Sequence, residues 1–167
     1  MESKNVAFSG HRTFKMKHPT GLFNTETPSP AAIRDRLEAT LRRLCEEGFD
    51  MFLCGMAEGF DMLAARCVLD LKKDFPAIKL TAVIPYPGQC ERFSRENKFL
   101  YSEILARADH TVITSTHFSQ DCFHRRNDYL VDNSSLLVCY FNGSKGGTEY
   151  TVKRALRKKH RIINISE

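Results

Sequence analysis

The feature that most constrains the fold of this chain is an apolar run at residues 136–141, which a glycine-rich turn follows directly. An apolar run without polar alternation is typical of a strand that is buried on both faces, as in the middle of a parallel sheet. The turn at residues 142–148 contains three glycines, and a helix-compatible segment begins at Glu149. Such a turn can bind an anion, because glycines let backbone N–H groups approach a ligand and the first turn of a helix carries partial positive charge. A plain tight turn is the equally weighted alternative.

The rest of the chain alternates between short apolar strands and amphipathic helices. Five further strands are predicted at residues 6–8, 50–54, 79–84, 110–115 and 162–165, with helices between them and a long loop at residues 13–29. This alternation predicts an α/β fold of three layers, in which a mainly parallel, doubly wound sheet of about six strands lies between two layers of helices. Because the 167 residues contain no visible linker or internal repeat, we expect one domain, residues 1–167.

Polar residues follow three of these strands at their carboxyl ends, in turns at residues 9–12, 55–61 and 143–148. Right-handed crossovers place the strand-to-helix turns of a parallel sheet at one edge, where open α/β sheets bind their ligands. We therefore expect the following residues to contact a ligand: Ser9, Gly10, His11, Arg12, Gly55, Glu58, Gly59, Asp61, Lys145, Gly146, Gly147 and Thr148. Gly147 in particular is expected to adopt positive φ and to allow close approach of the backbone.

Basic and hydroxyl side chains at this edge suit phosphate groups. Backbone N–H groups of the last turn, with Lys145 and Thr148, could hold one phosphate. Arg12 and one of Arg125 or Arg126 could hold another, since a guanidinium group binds phosphate oxygens through paired hydrogen bonds. No turn matches G-x-G-x-x-G, and the last turn lacks the G-K-[ST] ending of a P-loop. The ordinary dinucleotide site and ATPase chemistry are therefore disfavoured.

Two acids, Glu58 and Asp61, lie on the same predicted edge. A carboxylate beside a phosphate site is expected to bind ribose hydroxyls or to perform acid–base chemistry. The alternative for Asp61 is a capping carboxylate in the first turn of a helix. The alternative for His11 is a hydrogen-bonded structural histidine. The sequence does not decide between the two roles of Asp61 or between the two roles of His11.

Composition and patterning exclude several classes of protein. The sequence contains no run of eighteen apolar residues that could span a membrane, and the N-terminus leads into a strand rather than a signal peptide. A cytosolic protein is therefore predicted. The cysteines form no C-x-x-C pair, and His117, Cys122 and His124 are too weak a pattern to predict a metal site. Basic residues are concentrated near the end of the last helix, where their charge is favourable for the helix dipole. This explanation is preferred to a nucleic-acid-binding surface. The residues are Lys153, Arg154, Arg157, Lys158, Lys159 and Arg161.

Five motifs occur in one order along nearly the whole chain. They are Ser9-Gly10-His11-Arg12, residues 55–62 (GMAEGFDM), Ile84-Pro85-Tyr86, Arg126-Asn127 with Val131-Asp132, and Gly146-Gly147-Thr148. In this order they resemble the YpsA/YoqJ-like branch of the SLOG superfamily. The resemblance implies a Rossmann-like fold and a pocket for a nucleotide or nucleotide-derived ligand, such as ADP-ribose or an NAD derivative. It adds Arg126 and Asn127 to the expected ligand-binding residues.

Two departures bear on what the resemblance implies. The related LOG phosphoribohydrolases carry P-G-G-x-G-T-x-x-E, with a catalytic glutamate, and Thr151 takes the place of that glutamate here. A threonine cannot stabilise an oxocarbenium-like centre as a carboxylate does, so Glu58 or Asp61 would have to replace it. The branch also has a tryptophan after the Ile-Pro strand, where Phe93 is the nearest aromatic residue of this chain.

These observations predict a cytosolic protein that binds a nucleotide-derived small molecule and acts as a sensor or partner module. The alternative is a hydrolase that cleaves an N-glycosidic or phosphate bond of such a ligand, with Glu58 and His11 as candidate catalytic residues. Single-stranded nucleic-acid binding through residues 153–161 is a third, less favoured hypothesis. No further cofactor is predicted, and a homo-oligomer is compatible with the sequence.

Overall fold

The computed structural model describes residues 4–12 and 29–167, so most of the loop predicted at residues 13–29 lies outside the described residues. Strands and helices alternate along this part of the chain. The strands are β1 (Asn5–Gly10), β2 (Met51–Cys54), β3 (Lys79–Ile84), β4 (His110–Ile113), β5 (Leu136–Tyr140) and β6 (Arg161–Asn164). The helices are α1 (Pro30–Glu46), α2 (Phe60–Leu71), α3 (Arg95–Arg107), α4 (Cys122–Asp132) and α5 (Gly147–Arg157).

All six strands pair in parallel, in the order β4-β3-β2-β1-β5-β6. The chain therefore builds the sheet outwards from β1 to β4, returns to the other side of β1 with β5, and ends at β6. The strand order reverses between β1 and β5, where Gly10 pairs with Tyr140 at the carboxyl end of the ladder. A crevice opens at such a point because the helices that follow the two strands lie on opposite faces of the sheet.

Two hydrophobic cores, one on each face of the sheet, give the fold its three layers. Val6 and Phe8 of β1 pack with residues of α1, α2 and α3, while Ala7 between them packs with residues of α4 and α5. Successive side chains of a strand point to opposite faces, so both faces of β1 must be apolar to be buried. The predicted Rossmann-like, doubly wound fold is confirmed. No helix in the described part of the chain is long and apolar enough to cross a membrane.

Local sequence explains where the helices begin, with one difference from expectation. The hydroxyls of Ser29 and Ser94 accept hydrogen bonds from the backbone N–H groups of Ala32 and Asn97, at 3.1 and 3.2 Å, and so cap α1 and α3. Helix α5 begins at Gly147 rather than at the expected Glu149. The first turn of α5 therefore contains residues that the sequence had assigned to the turn before it.

The predicted fourth strand is shorter in the structure. It was expected at residues 110–115, but β4 ends at Ile113. It forms the outer edge of the sheet beside β3, and three of its four residues are exposed. An edge strand has pairing on one side only, so it has less support for a long ladder.

Candidate functional site

A cavity of about 230 Å³ lies at the carboxyl end of β1, where the strand order reverses. The residues that line it come from β1 and the segment after it, from the turn before α2 and α2 itself, and from α4 and α5. They are Phe8, Ser9, Gly10, His11, Arg12, Ala57, Asp61, Arg126, Asn127, Leu130, Gly147 and Thr148. The structure thus brings together most of the residues expected to bind a ligand. It leaves Gly55, Glu58, Gly59, Lys145 and Gly146 outside the lining of this cavity.

The end of β1 is fixed against the start of α2. A Cβ atom at Gly10 would lie 2.3 Å from Cδ1 of Phe60, so no larger residue fits unless the ring moves. The backbone N–H of Phe60 also donates a 3.2 Å hydrogen bond to the carbonyl oxygen of His11. These contacts place the first turn of α2 beside the segment after β1.

His11 connects that segment to the turn after β5. Its Nε2 accepts a 3.1 Å hydrogen bond from the backbone N–H of Asn142 and lies 3.4 Å from the hydroxyl oxygen of Ser144. The residue is buried, and a ring nitrogen that accepts an N–H carries no proton itself. This geometry matches the structural-histidine alternative, although His11 also lines the cavity.

Gly146 is the glycine whose conformation the start of α5 requires. Its φ is 144°, and it is the N-cap residue of α5, where a glycine has no side chain with which to cap the helix. The expectation that Gly147 adopts positive φ is wrong, because of these two adjacent glycines it is Gly146 that has positive φ. A Cβ atom at Gly147 would meet Nδ2 of Asn127 at 3.6 Å, an ordinary contact. The uncapped N–H groups of the first turn are available to a ligand at Gly147 and Thr148.

Arg126 supplies a buried positive charge to the cavity wall. Its Nη1 donates to the carbonyl oxygen of Gly55 at 2.5 Å, and its Nε donates to Oδ1 of Asn127 at 2.8 Å. No salt bridge to Arg126 is present within the described ranges, although its guanidinium group lies 5.8 Å from the centre of the Phe123 ring. Burial lowers the pKa of Arg126, and the nearby charge of Asp61 opposes that change. By contrast, Arg125 is exposed and pairs with Asp121 at 3.0 Å. The structure therefore selects Arg126 over Arg125 as the cavity arginine.

Gly55 supports Arg126 rather than lining the cavity. A Cβ atom at Gly55 would lie 3.0 Å from Cδ and Nε of Arg126, which leaves little room for a larger residue. The Gly55 carbonyl oxygen also accepts a 2.9 Å hydrogen bond from Nε2 of Gln89, whose Oε1 accepts one from the hydroxyl of Tyr101. Sequence reasoning missed Gln89, since a single glutamine after a Pro-Gly turn gives no signal of its position.

Asp61 is a buried acid with one unpaired oxygen. Its Oδ2 accepts a 3.2 Å hydrogen bond from the backbone N–H of Ala57, while Oδ1 is buried without a partner among the described residues. Burial raises the pKa of Asp61 to about 6, an increase that Arg126 and the Ala57 N–H oppose. Asp61 lies in the first turn of α2, as the capping alternative expected, although the hydrogen bond that it accepts comes from Ala57, which precedes the helix.

Glu58 does not line the cavity that Asp61 lines. Its Oε2 accepts a 2.5 Å hydrogen bond from Nδ2 of Asn97, which lies on α3. A catalytic role for Glu58 stays a prediction without a position in this cavity.

Comparison with known proteins agrees with the fold and with the order of the motifs. The family model YpsA, described as the YspA SLOG family, matches residues 6–165. A UPF0398 protein of Bacillus pumilus is 30% identical over 155 residues, which cover 91% of this chain and 81% of the relative. Another UPF0398 protein, from Bacillus velezensis, is 26% identical over 160 residues, 93% of this chain and 85% of the relative.

Two solved structures share the fold. DNA processing protein A (DprA) of Streptococcus pneumoniae superposes with a TM-score of 0.60 and 17% identity, over 95% of this chain and 48% of that chain. DprA of Helicobacter pylori, whose structure describes a single-stranded DNA binding mode, gives the same TM-score and identity over 95% of this chain and 63% of that one. This chain thus spans about half to two thirds of those proteins. Since the family model covers nearly all of its residues, the chain belongs to the YpsA family of SLOG proteins.

Proposed function

We propose that this protein is a cytosolic binding protein, a sensor or partner module, for a nucleotide or nucleotide-derived ligand such as ADP-ribose or an NAD derivative. The observation that carries the proposal is the buried guanidinium group of Arg126, which faces the same cavity as the uncapped start of α5. A buried charge is costly unless it is paired. The Phe123 ring lies 5.8 Å from the guanidinium group and the Asp61 carboxyl lies near it, but neither forms an ion pair with Arg126, so an anionic ligand group would supply that pairing.

Phosphate is the anion that these donors suit best. Backbone N–H groups at a helix N-terminus and a guanidinium group both form charge-assisted hydrogen bonds to phosphate oxygens. The hydroxyl of Thr148 adds a donor, because this buried side chain lines the cavity. Arg12, exposed at the same cavity, extends the positive charge towards solvent.

The size of the cavity limits how much of a ligand it encloses. About 230 Å³ is smaller than the roughly 300–1,000 Å³ of sites that bury whole drug-sized ligands. We therefore expect the cavity to enclose the phosphate and its sugar, while the rest of the ligand lies outside it. A mononucleotide and the corresponding part of a dinucleotide would then bind in the same way.

Binding is favoured over hydrolysis by the arrangement of the acids. Glycoside hydrolysis ordinarily uses two carboxyl groups that flank the scissile bond. Asp61 is the one acid among the described residues that line the cavity. Thr151, at the place of the LOG glutamate, is fully buried and donates its hydroxyl to the Gly147 carbonyl oxygen at 2.9 Å. The hydrolase alternative would require Glu58 to leave Asn97 and reach the ligand.

Single-stranded nucleic acid is a less favoured ligand, although it is the ligand of the structurally similar Helicobacter pylori protein. Several basic residues of the segment 153–161 already pair with acids. Arg154 and Lys158 contact Asp132 at 2.8 and 3.1 Å, and Arg161 contacts Glu47 at 2.8 Å. These pairs reduce the positive potential that would attract a phosphate backbone.

The proposal is tested by isothermal titration calorimetry with AMP, ADP-ribose and NAD as probes. Thr148→Val removes a cavity hydroxyl at nearly constant volume, and Thr151→Val makes the same change one turn later, away from the cavity. Because the lost hydrogen bond is to a charged group, we expect Thr148→Val to weaken binding by about tenfold or more and Thr151→Val to leave it unchanged. Absence of binding by all three probes, or equal affinities of the two variants, would contradict the proposal.

A further inference from the structure

We infer that Oδ1 of Asp61 accepts a hydrogen bond from a ribose hydroxyl, so that the site selects ribonucleotide over deoxyribonucleotide ligands. The inference rests on the proposed function, because it assigns the sugar end of the same cavity. It concerns an oxygen that is buried, unpaired within the described residues, and part of a side chain that lines the cavity.

The unpaired oxygen is not explained by the fold. Asp61 is 5% exposed, and its other oxygen already accepts the Ala57 N–H. Arg126 lies near enough to oppose the rise in the pKa of Asp61 that burial causes, yet no salt bridge joins the two residues. An acceptor that is left without a donor in a buried position costs free energy comparable to a lost hydrogen bond, so it indicates a missing partner.

The chemistry of the partner follows from the two sides of the cavity. A carboxylate only accepts hydrogen bonds and repels a phosphate, so the phosphate belongs at Arg126 and the start of α5. The group at Asp61 must instead be a donor. A phosphorylated ribose carries both kinds of group within one small molecule, with hydroxyls a short distance from its phosphate. An amino group of the base is the competing donor. The experiment therefore includes IMP, which lacks the amino group of AMP.

Asp61→Asn is a sharp probe of this contact. The amide oxygen of asparagine can keep the hydrogen bond from the Ala57 N–H, and this orientation turns the NH₂ group to the place of Oδ1. An NH₂ group cannot accept a hydroxyl hydrogen there. It can only donate to the hydroxyl oxygen, and that hydrogen bond lacks the charge of the carboxylate. The variant therefore keeps the size of the side chain while it removes the acceptor. Asp35→Asn, at an exposed position of α1, is the matched control.

The experiment measures the affinities of AMP, 2′-deoxy-AMP, 3′-deoxy-AMP and IMP for the wild type and both variants by calorimetry. In the wild type and in Asp35→Asn, we expect at least one deoxynucleotide to bind about tenfold to a hundredfold more weakly than AMP, and IMP to bind like AMP. In Asp61→Asn, we expect the ratio of AMP to deoxynucleotide affinity to fall by about threefold or more from its wild-type value, because a neutral hydrogen bond contributes less than one to a carboxylate.

The outcomes separate this inference from the proposed function. If the wild type binds none of the four probes, both are wrong. If it binds AMP and both deoxynucleotides equally, or if the ratio persists in a folded Asp61→Asn protein, the ribose contact alone is wrong. A loss of affinity for IMP that matches the deoxynucleotide loss would assign Asp61 to the base instead. Should Asp61→Asn fail to fold, equal wild-type affinities for AMP and both deoxynucleotides would still refute the ribose contact.

Discussion

Asp61→Asn should change how the stability of the protein depends on pH. The pKa of Asp61 is raised by burial from 3.8 to about 6. A carboxyl group with a higher pKa in the folded than in the unfolded chain binds its proton more tightly when folded. The stability that this proton contributes is full below about pH 3.8 and is lost as the pH rises through about 6. The whole difference corresponds to about 3 kcal/mol, since one pKa unit is worth about 1.36 kcal/mol.

Nearly half of this free-energy difference falls in an accessible pH range. Between pH 7.5 and pH 5, linkage gives the wild type about 1.4 kcal/mol of stability that a side chain without a titrating group cannot gain. Urea unfolding of the wild type and Asp61→Asn at pH 7.5, 6 and 5 measures this directly. The free energy of unfolding of the wild type should rise relative to the variant by that amount as the pH falls.

Asp35→Asn makes the same substitution at an exposed position of α1 and is the matched control. The reasoning would be refuted by a difference between the wild type and Asp61→Asn that does not change with pH. It would also be refuted by a difference of opposite sign, which would mean that the buried carboxylate is stabilised in its charged form.

Three further predictions concern the wall of the cavity and its surroundings. Gly10→Ala should lower the free energy of unfolding by about 3 kcal/mol, because its Cβ would overlap Phe60. The control Gly48→Ala, at φ 98° in open space, should lower it by about 1 kcal/mol. Equal losses for the two variants in urea unfolding would contradict the steric argument. Glu58→Gln should bind AMP with an affinity within about twofold of that of the wild type, since the Glu58 carboxylate contacts Asn97 outside the cavity. If the wild type turned over AMP, ADP-ribose or NAD and this variant did not, the protein would be a hydrolase. Binding to single-stranded DNA should be weak at physiological salt, and a sub-micromolar dissociation constant by fluorescence anisotropy would reverse that ranking.

The sequence predicted the fold well because its signals are local and repeated. Apolar runs such as residues 136–141 mark buried strands, and alternation with helices leaves few topologies once crossovers are right-handed. The same rules predicted that the turns after β1, β2 and β5 share one edge of the sheet. They did not predict which side chains of a turn enter the cavity, because that depends on the rotation of each helix about its axis.

Neighbouring residues show this limit most clearly. Arg125 and Arg126 are adjacent in α4, yet one is exposed beside Asp121 and the other is buried, since successive helical residues point about 100° apart. Gly146 and Gly147 are equivalent in the sequence, and only the structure identifies Gly146 as the residue with positive φ. Whether Glu58 lines the cavity likewise depends on the packing of α3, which contributes its hydrogen-bond partner Asn97.

The most direct test of the central claim is an NMR titration of the ¹⁵N-labelled protein with AMP. If the cavity at the end of β1 binds the phosphate and the sugar, the signals of residues 9–12 and 146–148 and of the Arg126 side chain should shift and saturate together. Residues of the charged groove between α1 and α2, such as Arg34 and Asp70, should not shift. Saturable shifts confined to that groove, or no saturable shift at millimolar AMP, would contradict the account.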